Sequence, residues 1–233
     1  MTEPAGSAGS AGLAALYPFL EPTPDADPAA VLVDVIRSTR EKVEEIGQLR
    51  TAVVEAEATR LAACATAMAE RFAAGGRLYT FGNGGSATDA AALAALFVDP
   101  GPGYRPLPAA ALTDDVATLT ALANDVGFDV VFARTLAAAA RAGDIAFGLS
   151  TSGNSENVVR GLAAARERGL LTVGTAGYAG GAMAEAAARG QIDHMVVVPS
   201  ASVHRIQEAQ TTMYHVLWEL VQHALAVSDS PGP

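Results

Sequence analysis

The stretch that decides the fold of this chain is Asp144-Ile145-Ala146-Phe147-Gly148-Leu149-Ser150-Thr151-Ser152-Gly153-Asn154-Ser155. A short apolar run ends in an unbroken series of hydroxyl, glycine and amide residues, and the next residues, Glu156 to Ala163, return to helical spacing. This order predicts a buried strand, a tight turn and the start of a helix. Such a turn directs free backbone N–H groups and the positive end of a helix dipole to one place. The sequence therefore predicts an anion site here, and phosphate is the anion that suits it best.

A second strand, turn and helix lies upstream of the first. Arg77 to Phe81 has the pattern of a short strand, and Gly82-Asn83-Gly84-Gly85-Ser86 follows it directly. The residues from Ala87 to Val98 then have an almost wholly apolar helical pattern. Glycines such as Gly84 let the backbone approach a ligand closely, and Ser86 adds a hydroxyl at the helix start. Glycine-rich turns are also common as plain connections, so this turn alone leaves both interpretations open.

Five short apolar runs alternate with helical patterns along the chain. They lie at residues 77–81, 109–112, 144–149, 171–174 and 192–198. This alternation predicts an α/β fold, a five-stranded parallel sheet flanked by helices. Ligands of such sheets bind at the carboxyl ends of the strands, near the point where the strand order reverses. Both turns described above follow the carboxyl end of a predicted strand.

The chain divides by composition into three segments. Residues 1–29, rich in Ala, Gly, Ser and Pro, are predicted to be a flexible arm, residues 30–226 a folded domain and residues 227–233 a frayed tail. An apolar stripe over residues 31–74 fits two long helices with a break near Gly47. Helices placed before an α/β core cannot bury both of their faces alone, so these N-terminal helices are predicted to be used in oligomerisation.

The charge and cysteine content exclude several classes of protein. A formal net charge of −10 argues against nucleic acid or an anionic membrane as the main partner. The single cysteine, Cys64, excludes a disulfide framework. Neither a secretory signal nor a run of about 18 apolar residues is evident, so the expected location is the cytoplasm, away from membranes.

Four motifs occur in order along the chain. They are Phe81-Gly82-Asn83-Gly84-Gly85-Ser86, Asn124-Asp125, Gly148-Leu149-Ser150-Thr151-Ser152-Gly153-Asn154-Ser155 and Arg205-Ile206-Gln207-Glu208. Together they resemble the sugar isomerase (SIS) fold, and specifically the phosphoheptose isomerase family, over roughly residues 30–226. The resemblance implies conversion of sedoheptulose 7-phosphate to a D-glycero-D-manno-heptose 7-phosphate. It also implies a homotetramer, or failing that a dimer, with sites at subunit interfaces.

The resemblance assigns roles to individual residues. Those expected to hold the phosphate or contact the sugar are Asn83, Gly84, Ser86, Ser150, Thr151, Ser152 and Ser155. Those expected to take part in catalysis are His215, Gln207 and Asp125. Gln207 and His215 match two positions that bind metal in the zinc-dependent members, where the histidine also serves in proton transfer.

The chain departs from the family at the other half of the zinc site. The zinc-dependent members carry a histidine and a glutamate four residues apart on the helix after the glycine turn, and these positions are Ala92 and Leu96 here. Neither side chain binds a metal or moves a proton, so two of the four ligands are missing. No cofactor is therefore expected; the alternative is a zinc ion at an incomplete site, of which Gln207 and His215 would be the remnants.

Ketose–aldose isomerisation still requires a base and a group that stabilises the enediolate. On the last helix His204, Gln207, Thr211 and His215 share one face. His215 is predicted to be the acid or base, with an inert core or interface histidine as the alternative. Asp125 is the best remaining carboxylate. Asp89 is a candidate helper, with interaction with the helix dipole as its alternative role.

Two functions remain open at this point. The first is a sugar-phosphate isomerase, favoured by Gln207 and His215. The second is a non-catalytic SIS protein, either a sugar-phosphate sensor or a tetrameric scaffold for a protein partner such as a replication initiator. Ala92 and Leu96 favour this second function. The intact 150–155 turn favours ligand binding under both hypotheses.

Overall fold

The computed structural model describes residues 27–229. The strands are β1 (Leu78–Phe81), β2 (Ala109–Ala111), β3 (Ile145–Ser150), β4 (Leu171–Gly177) and β5 (His194–Val198). The helices are α1 (Pro28–Ala73), α2 (Gly85–Val98), α3 (Val116–Asp125), α4 (Val131–Ala139), α5 (Glu156–Glu167), α6 (Gly181–Ala188) and α7 (Val203–Asp229), with a 3₁₀ turn (Phe128–Val130) before α4. None of these helices has the length and apolar character needed to span a bilayer.

The five strands form one parallel sheet in the order β2-β1-β3-β4-β5. This confirms the predicted fold class. The chain leaves β1 to one side to form β2 and crosses to the other side to form β3, so the strand order reverses between β1 and β3. Phe81 at the end of β1 pairs with Gly148 of β3. The two predicted ligand turns follow these two neighbouring strands, which places both turns at the reversal point where such sheets bind ligands.

Helices cover both faces of the sheet. Side chains of a strand alternate between its faces, and β3 shows the result: Ile145 and Phe147 join a core with Ile46–Ala73 of α1, α2 and α7, whereas Ala146 joins a core with α4, α5 and α6. Because β3 is buried on both faces, its sequence is a continuous apolar run. The candidate site involves α2 and α7, which lie on the same face of the sheet.

A single helix covers residues 28–73, so the predicted break near Gly47 is wrong. Nothing lies within 4 Å of the Cβ position at Gly47. The glycine therefore costs about 1 kcal/mol of helix stability relative to alanine, which is too little to interrupt a helix of this length. The described residues divide into two units, residues 27–45 and residues 46–229.

Other predicted boundaries also shift. Residues 1–26 of the predicted arm and residues 230–233 of the predicted tail lie outside the described residues. Helix α1 begins at Pro28, within the predicted arm, and helix α7 ends at Asp229, within the predicted tail. Strand β4 runs through Gly177, three residues past its predicted end at residue 174, because both neighbouring strands continue to pair with it. Asn124 and Asp125 are the last residues of α3.

Candidate functional site

The turn between β3 and α5 leaves backbone donors unused. Among the hydrogen bonds of residues 27–229, none has the backbone N–H of Glu156 or Asn157 as its donor. Both belong to the first turn of α5, where no intrahelical acceptor exists. Ser155 precedes the helix, and its side chain makes no capping hydrogen bond. These free donors, at the positive end of the helix dipole, form the geometry that binds anions.

The shape of this turn is fixed by contacts with the start of α6. Gly153 has a φ of +69° and lies so close to the carbonyl of Gly180 that a Cβ would collide with it. The N–H of Met183 donates to the Gly153 carbonyl at 3.0 Å, and the N–H of Ala182 donates to Oδ1 of Asn154 at 2.9 Å. Asn154 therefore helps to hold the turn and caps α6. The donors of the turn are preorganised before any ligand binds.

The serine hydroxyls of the turn accept hydrogen bonds within it and keep hydrogens for a ligand. Oγ of Ser152 accepts from the N–H of Asn154 at 3.1 Å, so its own O–H remains a free donor. Oγ of Ser150 accepts from the N–H of Gly153 at 3.1 Å and lies 3.0 Å from Oγ of Ser155. One hydrogen joins these two hydroxyls and the other is left over. Ser152 and Ser155 are partly exposed, like Thr151, whereas Ser150 is buried.

The turn after β1 is attached to the turn after β3 by a pair of amides. Nδ2 of Asn83 donates to Oδ1 of Asn157 at 2.8 Å, and Nδ2 of Asn157 donates back to Oδ1 of Asn83 at 2.9 Å. A Cβ on Gly82 would come within 2.8 Å of the Leu149 carbonyl, so the two backbones lie side by side. Asn83 was predicted to contact sugar hydroxyls. Its amide keeps one N–H and one lone pair for that purpose.

Helix α7 brings Gln207 to the glycine turn. The side-chain amide of Gln207 lies directly against Gly85, where a Cβ would collide with it. One turn further along α2, Asp89 lies beside Gln207 and Thr211, and its Oδ2 is buried without a hydrogen-bond partner among the described residues. Burial raises the pKa of Asp89, and hydrogen bonds from the side chains of Gln207 and Thr211 oppose that rise. A carboxylate with an unused oxygen therefore lies next to one of the predicted catalytic residues.

His215 presents a basic nitrogen to solvent. Its Nδ1 lies 2.8 Å from the Thr211 carbonyl oxygen. A carbonyl only accepts, so Nδ1 carries the hydrogen of the neutral ring and Nε2 carries the lone pair. The ring stacks on Tyr214, with centroids 4.9 Å apart. Burial raises the pKa of Tyr214, and the charge of Asp89 adds to that rise, so Asp89 lies within electrostatic reach of Tyr214.

Asp125, the other predicted catalytic carboxylate, lies exposed at the end of α3 and accepts a hydrogen bond from Nδ2 of Asn124 at 2.7 Å. In residues 27–229 no hydrogen bond or ion pair joins it to the two ligand turns or to α7. Its catalytic role stays a prediction. Sequence reasoning noted Asp89 only as a helper, because a helix-start aspartate is ordinarily explained by the dipole.

The zinc ligands implied by the family do not fit the residues present. Ala92 is exposed, and Leu96 packs against the core that contains α1, α2 and α7. No group of three or more His, Cys, Asp or Glu side chains among the described residues is placed to hold a metal ion. Four-coordinate zinc requires such a set. The described residues therefore do not form a four-ligand zinc site.

Known proteins resemble this chain in sequence and in fold. Residues 43–177 match the family model for the SIS domain. A phosphoheptose isomerase of Aquifex aeolicus is 43% identical over 187 residues, which are 78% of this chain and 95% of that protein. One from Pelobacter propionicus is 46% identical over 71% of this chain and 85% of its own length. Among solved structures, a phosphoheptose isomerase from Neisseria gonorrhoeae has a TM-score of 0.72 and 32% identity, covering 80% of this chain and 99% of its own.

Proposed function

Because this chain belongs to the phosphoheptose isomerase family of SIS-domain proteins, we propose that it is a ketose–aldose isomerase acting on sedoheptulose 7-phosphate or a related sugar phosphate. The observation that supports this most directly is the arrangement around the sheet reversal. A preorganised anion turn lies beside a second turn that Gln207 contacts, and Asp89 and His215 lie nearby on α2 and α7. A phosphate site and proton-transfer groups are the two components that this reaction needs.

In the proposed reaction the phosphate is bound by the 150–155 turn and the N–H groups that begin α5, and the sugar extends toward α2 and α7. A base removes the proton from the carbon next to the ketose carbonyl, which leaves an enediolate. The protonated base, which can exchange its proton with solvent, then gives a proton to the former carbonyl carbon, and a hydroxyl proton moves between the two oxygens. Nε2 of His215 and the carboxylate of Asp89 are the groups that transfer protons. The amide of Gln207 donates a hydrogen bond to the developing negative oxygen.

The first test follows sedoheptulose 7-phosphate by NMR in the presence of the purified protein. We expect new resonances from the aldose phosphate and exchange of the transferred hydrogen in D₂O, because the base shares its proton with solvent. EDTA or added zinc should change the rate by less than about twofold, since the donor set described here does not fit zinc.

Two outcomes would contradict parts of this proposal. A rate abolished by EDTA and restored by zinc would show that a metal completes the site. No conversion at high protein concentration, with calorimetric binding of the sugar phosphate retained, would replace the isomerase with the sensor hypothesis. The same measurement on a sample mixed with a zinc-dependent family member serves as the positive control.

We also propose that the protein associates with copies of itself in the cytoplasm, and that the first unit of the chain takes part. The described residues of that unit expose many large apolar side chains on α1. These are Val31, Leu32, Val33, Val35, Ile36 and Val43, with exposed fractions of 48, 59, 64, 54, 42 and 64%. Exposed apolar residues at this density are typical of surfaces that pair with another chain.

The corresponding prediction concerns the mass in solution. The variant Ile36→Glu/Val43→Glu is expected to lower the mass measured by light scattering from that of a tetramer or dimer toward that of one chain, because it places charges within an apolar contact. Val116→Glu is the matched control, since Val116 is as exposed as Val43 (64%) but lies on α3. A mass that stays oligomeric in the double variant would show that this stretch does not hold the copies together.

A further inference from the structure

The amide pair of Asn83 and Asn157 joins two turns that sequence reasoning treated separately. The two residues are 74 positions apart in the chain. One lies in the turn after β1 and the other in the first turn of α5, after β3. The strand order reverses between these two strands, so the pair spans the crevice in which the ligand is expected.

The geometry of the pair specifies asparagine on both sides. Each side chain is donor and acceptor at once, with N···O distances of 2.8 and 2.9 Å. Asn157 is 3% exposed, so its amide would be left unsatisfied if Asn83 were removed. An aspartate on either side would set two acceptor oxygens against each other. The pair therefore fixes both the position and the orientation of the Asn83 amide.

The Asn157 residue contributes to the site in two separable ways. Its backbone N–H is one of the unused donors at the phosphate turn, and any side chain at this position retains that donor. Its side chain instead contacts Asn83, which belongs to the turn that Gln207 touches at Gly85. The phosphate end of a ligand depends on the backbone donor, whereas the sugar end depends on the amide pair.

We propose that Asn157 is a positioning residue that holds Asn83 so that the sugar and the phosphate of one ligand are bound in register. This inference rests on the proposed function for the identity of the ligand. It requires binding but not turnover. With the pair intact, the turn after β1 cannot shift relative to the phosphate turn, and the free N–H and lone pair of Asn83 are aimed at the sugar hydroxyls.

The test is calorimetry with two probes, inorganic phosphate and the seven-carbon sugar alcohol 7-phosphate made by reducing sedoheptulose 7-phosphate. The sugar alcohol has no carbonyl, so it cannot isomerise. For Asn157→Ala we expect the Kd of the sugar alcohol phosphate to rise about tenfold, as for the loss of one oriented hydrogen bond, and the Kd of phosphate to change less than about twofold. If Asn157→Ala does not fold, Asn157→Ser, whose hydroxyl can still form one hydrogen bond, should give a smaller rise in the Kd of the sugar alcohol phosphate and again little change in the Kd of phosphate.

A double-mutant cycle makes the assignment specific. In the Asn83→Ala background, Asn157→Ala should have almost no further effect on sugar alcohol phosphate binding, because its partner is already absent. Equal weakening for both probes would mean that Asn157 only supports the turn, and additive effects would mean that the two amides act independently. Either result overturns the proposal. Absence of turnover in the NMR assay with these binding shifts intact would overturn the isomerase and leave the role of Asn157 standing.

Discussion

The variant Ser152→Ala/Ser155→Ala is expected to bind sedoheptulose 7-phosphate at least tenfold more weakly than the unmodified chain. If the two losses simply add, the expected factor is about 10². This result is expected because Ser152 has a free hydrogen and the Ser150–Ser155 pair has one more, and both hydrogens are available to a charged phosphate oxygen. A hydrogen bond to a charged group contributes about 1.5–3 kcal/mol, and 1.4 kcal/mol corresponds to a factor of ten in Kd. Neither side chain caps α5, so the helix itself should be unaffected.

Calorimetry with sedoheptulose 7-phosphate and with inorganic phosphate measures the effect. Both ligands should bind more weakly, since the lost donors face the group that they share. Thr66→Ala is a suitable control, because its hydroxyl bonds only to the Ala62 carbonyl within α1. Unchanged affinity for both ligands in the double variant would remove the anion site from this turn.

The strands and their turns could be predicted from the sequence because their signals are local. An apolar run followed by Ser150 to Ser155 predicts a strand and then a turn, and neighbouring residues alone are enough for this prediction. The ends of the elements depend on distant neighbours instead. Strand β4 extends to Gly177 because β5 and β3 pair with it, and no local pattern around Thr175 indicates this. Gly47 was expected to break a helix, but a single glycine lowers helix stability by only about 1 kcal/mol, and the helix continues through it.

The candidate site also has a part that local sequence predicts and a part that depends on contacts between distant residues. The phosphate turn is one stretch of chain, so its hydroxyls and free N–H groups could be inferred together. The contact of Gln207 with Gly85 and the pair of Asn83 with Asn157 join residues that are far apart in the sequence. A helical pattern gives no sign that Asn157 faces another turn. Asn154, which was expected within the ligand turn, also caps α6 through Ala182, and that contact depends on the fold.

In the proposed isomerase, the apolar residues at positions 92 and 96 leave the proton transfers to other side chains. Leu96 is partly buried against the core, so this position of α2 offers no polar group to a ligand. Asp89 lies seven residues earlier on the same helix, about 10 Å along its axis, where Gln207 and Thr211 reach it from α7. We therefore expect the carboxylate that serves the reaction to be Asp89, one helical turn from Gly85, and not a group at the family's zinc position.

Replacing His215 with asparagine is therefore expected to lower kcat about 10²–10⁴-fold, the usual contribution of general acid–base catalysis, with little change in KM. Asparagine places an N–H near the position of Nδ1, which can still donate to the Thr211 carbonyl, but it has no basic nitrogen in place of Nε2. The stability should change little for the same reason. His223→Asn is the matched control, since His223 is another exposed histidine of α7.

A second variant, Asp89→Asn, distinguishes the contribution of Asp89 from that of His215 through the pH dependence of the reaction rate. Only the ionised carboxylate accepts a proton, so the rate should fall as pH falls through the pKa of Asp89. Burial raises that pKa, and this acid limb should therefore lie above the range of an ordinary aspartate. In Asp89→Asn the limb should be absent, with kcat lowered by at least tenfold at every pH. An unchanged pH profile in this variant, together with full activity of His215→Asn, would remove both residues from the reaction.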